Sequence, residues 1–172
     1  SQTKSMQSSI PIIELANSLS EEHSCLRAWM IPSLLEVLKN NKHNEYPQNI
    51  FDIGTVFKKS SDKVSSSQTG IEEAFRLAVA MCNDKADFTQ IKQVLDYIFS
   101  SLDLDYDIEE TEHTSFIAGR VGRVSCDGKK IAYIGEISPE VLKNFDIDVP
   151  VSCLELNISE LFHIMDSKHL LR

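Results

Sequence analysis

The run Ser20-Glu21-Glu22-His23-Ser24-Cys25-Leu26-Arg27, continued through Pro32-Ser33-Leu34-Leu35 to Asn49-Ile50-Phe51-Asp52-Ile53-Gly54-Thr55-Val56-Phe57, decides how this chain is read. Ser20 suits a helix N-cap, with Glu21 and Glu22 in the first turn, where the positive end of the helix dipole favours acids. Pro32 suits the first position of a following helix, because its missing N–H is not needed there. Leu34, Leu35, Val37 and Leu38 give that helix an apolar face running to Asn40-Asn41. The two segments read as a broken helix pair. Pro47 then precedes a strand over 50–57 with the look of a buried element. Phe51, Ile53, Thr55 and Phe57 point to one side of it, and Ile50, Asp52, Gly54 and Val56 to the other.

Upstream, residues 1–9 are polar and lack the charged-then-apolar build of a signal peptide, so they read as a disordered end. Residues 10–15 read as a short strand with Pro11 near its start, followed by a turn at Asn17-Ser18. Downstream, 58–70 is Ser-rich and forms a flexible hairpin-like loop, and 74–82 is a nearly continuous apolar strand of the kind covered on both faces. Phe88, Ile91, Leu95, Ile98 and Leu102 fall at helical spacing behind a possible cap at Asp87. A modest strand covers 106–110. Strands at 121–126 and 130–136 flank Asp127-Gly128, a tight-hairpin dipeptide. Ser138-Pro139 opens a short helix to about Asn144, 151–157 is a final strand, and Ser159 is the expected cap of a last helix. Strands outnumber long helices, so the expected fold is α+β, an antiparallel sheet flanked by helices. Residues 10–172 are expected to form one domain.

Composition narrows the function. With 42% hydrophobic and 25% charged residues over 172 positions, the chain has the make-up of a globular domain, and no apolar run approaches the ~20 residues of a membrane span. A net charge of -9 works against nonspecific attraction to phosphate backbones, so an RNA partner is expected to be met elsewhere in an assembly. The four cysteines, Cys25, Cys82, Cys126 and Cys153, lie far apart with no C-x-x-C spacing, which fits free and mostly buried thiols in a reducing compartment. The cytoplasm is the expected location.

No motif for bond-making chemistry is present. The five histidines form no H-E-x-x-H and no i, i+4 pair, so no metal site is expected. The six glycines never stand two apart, which removes G-x-G-x-x-G, and no Gly-Lys-Ser/Thr marks a P-loop. The acid pairs Glu21-Glu22, Glu72-Glu73 and Glu109-Glu110 adjoin element ends, where carboxylates serve as solvated surface or dipole partners. No G-x-S-x-G occurs, and no cysteine has a histidine in an obvious motif.

Four blocks in order carry a resemblance. To the opening stretch are added Glu112-His113-Thr114-Ser115-Phe116-Ile117-Ala118-Gly119-Arg120-Val121-Gly122-Arg123, then Ile131-Ala132-Tyr133-Ile134-Gly135-Glu136-Ile137-Ser138-Pro139-Glu140-Val141-Leu142, and then 150–156. The second holds an aromatic and a Gly-Arg pair before a strand, and the third is similar to an Ile-Gly-Glu-x-x-Pro-Glu-Val signature. Together they resemble the catalytic-like module of phenylalanyl-tRNA synthetase β subunits of the archaeal and eukaryotic type. Departures are local: Asn17-Ser18 stands for Asn-Pro, Ala132 for a common glycine, and Ser138 for a frequent histidine.

The resemblance implies a class II synthetase-like sheet without the catalytic signatures, forming one piece of a longer β subunit. Where catalytic relatives carry an arginine two residues before a glutamate, this chain has Phe51-Asp52-Ile53-Gly54, and the later G-x-G-x-x-x-R is missing. An adenylate-forming transition state needs that positive charge. The implied role is therefore assembly, supporting an α subunit that activates phenylalanine with ATP and charges tRNA, in an α2β2 complex. ATP and Mg²⁺ are expected for the complex and no cofactor for this chain. Structural or interface candidates are Arg27, Trp29, Pro32, Phe51, Phe116, Gly119, Arg120, Gly135, Glu136 and Pro139. Arg27 is read as an internal ion-pair residue ahead of a bridge to the partner, Trp29 as core or interface, Phe116 as a core plug, and Gly119 and Gly135 as backbone requirements. The rival readings are a free-standing ligand-binding or regulatory module on a degenerate fold, and, behind it, a hydrolase built on scattered Cys and His.

Overall fold

Six antiparallel strands carry the fold. A computed structural model describes residues 5–7, 13–14, 25–59 and 70–168. Ile13–Glu14 (β1) pairs with Cys25–Leu26 (β2) in a small two-stranded sheet. The main sheet comprises Gln48–Lys59 (β3), Ile71–Cys82 (β4), Asp107–Glu110 (β5), Phe116–Cys126 (β6), Lys129–Ile137 (β7) and Val151–Asn157 (β8), in the spatial order β3-β4-β8-β7-β6-β5. The helices are Ile31–Asn40 (α1), Phe88–Ser101 (α2), Pro139–Asn144 (α3) and Ile158–Ser167 (α4). This is the expected α+β architecture.

The strand last in sequence lies in the middle of the sheet, and Val151 through Leu156 are all buried. Alternation along the strands builds two cores. On the front face, α1 lies over Val56, Ala78, Ala80, Cys153 and Ile137. The two alanines of β4 let the helix approach closely, and α1 turns Ile31, Pro32, Leu34, Leu35 and Leu38 toward it. On the back face, α2 and α4 bring Ile91, Leu95, Phe99, Leu161 and Ile164 onto Ala132, Ile134, Leu154 and Leu156. The apolar run of β4 is buried on the front at Ala78, Ala80 and Cys82 and partly buried on the back at Leu77, Val79 and Met81, while Phe75 stays exposed.

Local chemistry sets most element ends. Asp87 accepts from Gln90 N at 2.8 Å and starts α2, and Ser138 accepts from Val141 N ahead of Pro139 at the head of α3. Asp127 and Gly128 both hold positive φ, +53° and +74°, the geometry of a two-residue hairpin turn between β6 and β7.

Four readings are corrected. Cys25–Leu26 is a strand and not the continuation of a helix from Ser20; pairing with β1, and a hydrogen bond from Phe57 N to Arg27 O at 2.9 Å, hold that segment extended against β3. The cap of α4 is Asn157, which accepts from Glu160 N, while the Ser159 hydroxyl accepts from Phe75 N and ties the helix to β4. The strand β3 is not buried on its back face: Phe51 is 71% exposed and Ile53 47%, because α2 and α4 pack on β4, β7 and β8 and stop short of this edge. Met6, within the stretch read as a loose end, is fully buried in the front core, and the Ser115 hydroxyl donates to its carbonyl. The Ser20 cap, the turn at Asn17-Ser18 and residues 60–69 of the loop lie outside the described residues.

One carboxylate joins helix to sheet. α1 has no side-chain cap of its own at Met30. Instead Glu155 of β8, only 3% exposed, accepts from Met30 N at 2.9 Å and from Ile31 N at 3.1 Å, and Arg76 Nη1 donates to its other oxygen at 2.8 Å. Breaking such a buried pair leaves an uncompensated charge, at a cost of about 3–5 kcal/mol. Glu155→Leu is therefore expected to lower the unfolding free energy by about that amount in urea titration, with the slope unchanged.

Candidate functional site

On the front face of β3, Asp52 and Gly54 stand along the strand and Arg27 lies across them. Its Nε donates to Thr55 O at 2.8 Å and its Nη1 meets Asp52 at 3.2 Å. A Cβ at position 54 would stand 1.9 Å from Arg27 Nη2, so the glycine is the space that the guanidinium occupies. Arginine is present, but it enters from the chain before α1 and is directed into a carboxylate and a carbonyl.

Beside it lies an aromatic cluster. The Trp29 ring is 5.1 Å from His113 and 6.2 Å from Phe116, and His113 meets Phe116 and Tyr133 edge-on at 5.3 and 5.2 Å. Trp29 and Phe116 are both buried. Arg123 stacks on Tyr133 with its guanidinium carbon 4.1 Å from the ring centroid. Burial, and then the Arg123 charge, hold the His113 pKa below the ordinary histidine value. Its Nδ1 accepts from Ser115 N at 3.2 Å, so the neutral ring is an acceptor built into the wall.

On the back face a second group of sequence candidates comes together. β6 bulges between Phe116 and Val121, and Gly119 in the bulge has φ of +74°. Arg120, next in the bulge, donates from Nη1 to Glu136 at 2.7 Å. The other Glu136 oxygen accepts from Phe88 N at 2.9 Å, so one carboxylate pins β6 and β7 to the head of α2. Gly135 lies beneath the bulge, where a Cβ would fall 2.7 Å from Arg120 O and 2.9 Å from Phe116 Cδ1. Pro32 is the buried second residue of α1 and Pro139 the exposed first residue of α3, far from this corner in role.

Among the described residues no group of three His, Cys, Asp or Glu side chains is arranged to hold a metal, and no helix is long and apolar enough to cross a membrane. Burial pushes the Cys82 thiol up to about 11 and the Cys126 and Cys153 thiols up as well, which removes the thiolate that nucleophilic chemistry needs.

Exposed apolar side chains gather at the β3 edge. On its back face Phe51 and Ile53 are joined by Phe75 of β4, 45% exposed, and by Phe162 of α4, 50% exposed. Ser159, one helical turn before Phe162, is anchored to Phe75 N, which places these side chains around one patch. Phe51 is a sequence candidate; Phe75 and Phe162 are not. Alternation predicts a buried back face for β3, and only the positions of α2 and α4 show that it stays uncovered. Glu155, the helix cap, is signalled by being the lone acid among the apolar residues of 151–156.

The fold is that of class II aminoacyl-tRNA synthetases: pyrrolysyl-tRNA synthetase from Desulfitobacterium hafniense superposes on 91% of this chain with a TM-score of 0.69 at 17% identity, using 53% of its own length. The family model described as the phenylalanyl tRNA synthetase beta chain CLM domain matches residues 2–158, and the chain belongs to that family. Phenylalanine–tRNA ligase beta subunits from Pyrococcus abyssi and Pyrococcus furiosus are 44% and 45% identical to it over 153 residues, 88% of this chain. That of Methanopyrus kandleri is 37% identical over 150 residues. The chain spans about a quarter of the length of these relatives, 25–26%.

The His113 environment gives a test of the front face. A histidine whose folded pKa is depressed stabilises fully above its unfolded value of about 6.5, and that contribution is lost as pH falls below it. Thermal unfolding of the wild type is expected to lose stability between pH 7 and pH 5 more steeply than that of His113→Gln, whose side chain does not titrate; parallel slopes would contradict the assignment.

Proposed function

We propose that this chain is the non-catalytic assembly module of a phenylalanine–tRNA ligase β subunit. Its role is to support the α subunit that activates phenylalanine with ATP and charges tRNA, in an α2β2 cytoplasmic complex. The observation that carries this reading is the uncovered patch of Phe51, Ile53, Phe75 and Phe162. Large apolar side chains exposed together at a sheet edge are costly in water and typical of interface centres. The α subunit is the occupant assigned to the patch, since the similar proteins are β subunits by name. A second copy suits it less, because two chains of net charge -9 repel.

The Asp52 end of the front face does not suit a nucleotide. A triphosphate laid along β3 would meet the Asp52 carboxylate, and the cation nearest to it, Arg27, is already committed to Asp52 and Thr55 O. ATP and Mg²⁺ belong on the α subunit in this reading, and tRNA meets the complex through other surfaces. The module's contribution is apolar area and a rigid sheet, held by the Glu155 and Glu136 contacts.

Co-expression with the cognate α subunit is expected to give one complex on size exclusion. The double substitution Phe51→Ser, Ile53→Ser is expected to weaken it by at least about tenfold while the circular dichroism of the chain stays unchanged, because exposed residues add little to folding. Retention of full affinity would exclude the patch, and absence of any complex would exclude the assembly role. ATP–pyrophosphate exchange by this chain alone is expected to show no phenylalanine-dependent turnover.

A further inference from the structure

The main sheet ends at β3, which pairs with β4 without a register shift from Gln48 to Lys59. Two contacts fix which of its residues face outward. Phe57 N donates to Arg27 O at 2.9 Å, and Thr55 O accepts from Arg27 Nε at 2.8 Å. In an antiparallel ladder alternate residues turn their N–H and C=O to the same side, so the odd-numbered residues of β3 point theirs away from β4. Asn49, Phe51 and Ile53 share that parity, and among the described residues their outward backbone groups have no partner.

Natural edge strands are blunted by proline, lysine or a bulge. From Asn49 to Phe57 β3 has none of these, and Lys58 and Lys59 stand at the end beyond the Arg27 contact. Phe51 and Ile53 add exposed apolar side chains on the back face. Between them the Asp52 carboxylate, partly exposed, faces the front. The edge therefore offers open backbone donors and acceptors with apolar surface on one side and negative charge on the other. It already holds one extended segment, since the chain at Arg27 is bonded to it at Phe57.

That pattern selects the occupant. A second copy pairing its Ile53 with Phe51 would set Asp52 directly opposite its own counterpart, where like charges repel, and each chain carries a net charge of -9. A foreign strand with apolar residues over Phe51 and Ile53, and a Lys or Arg between them beside Asp52, satisfies the backbone and both faces at once. We infer that the α subunit contributes such an extended segment, which pairs with Asn49, Phe51 and Ile53 and continues the sheet beyond β3. The inference rests on the assembly reading and adds the mode of contact: main-chain hydrogen bonds along β3, with the apolar patch as the side-chain part of the same interface.

Amide hydrogen exchange, read residue by residue by NMR on the chain alone and in complex with the cognate α subunit, tests it. The Phe51 and Ile53 amides are expected to slow at least about tenfold in the complex, while those of Asp52 and Gly54, which already face β4, change little. Ile53→Pro removes one outward N–H without touching the ladder to β4, and is expected to weaken the complex at least tenfold with unchanged circular dichroism. Ile53→Val, which keeps the N–H and an apolar side chain, is expected to bind within about threefold of the wild type. A complex in which the Phe51 and Ile53 amides exchange as in the free chain overturns the strand inference and leaves the assembly reading standing. Wild-type affinity of Ile53→Pro does the same, and absence of any complex overturns both. A dimer of the chain alone with these two amides protected assigns the edge to a second copy and overturns the inference.

Discussion

The carboxylate of Glu155 stands in the middle strand of the sheet, under the first turn of α1, and receives two backbone N–H groups from the helix and a guanidinium from β4. A helix begins with N–H groups that its own turns cannot satisfy, and those of α1 point into a core where water is absent. Burial raises the Glu155 pKa, opposed by Arg76 and by the two backbone bonds, so the charge is held by geometry built from three separate parts of the chain. With α1 fixed in this way its apolar residues close the front face, and Ala78 and Ala80 beneath it can be small.

The same economy of charge recurs. Arg27 fills the space left by Gly54 and neutralises Asp52; Glu136 binds the head of α2 and Arg120 together. Each of these contacts joins elements that are distant in sequence. The back face has an open groove at one edge and exposed apolar side chains at the other.

Much of the fold was legible in the chain. The apolar run of β4, the Asp127-Gly128 turn, the Asp87 cap and the Ser138-Pro139 helix start each follow from local chemistry, because the interactions that set them span a few residues. The misread positions depend on distant partners. Cys25–Leu26 is extended because β1 and Phe57 hold it so, and Ser159 serves Phe75 instead of capping α4 because Asn157 stands one residue ahead of the helix. Among the candidate site residues, Arg120 and Glu136 were visible within their motifs, but not as partners across a bulge.

Period-two alternation, turn dipeptides and helix caps belong to neighbouring residues, so the sequence by itself determined an antiparallel α+β domain and the family's ordered motifs. Whether a side chain on an alternating strand is buried depends on what packs above it. Only the tertiary structure decided that Phe51 and Ile53 face solvent, that Glu155 caps a helix 124 residues upstream, and that Arg120 meets Glu136 across a bulge, because each depends on where helices and bulges come to rest on the sheet.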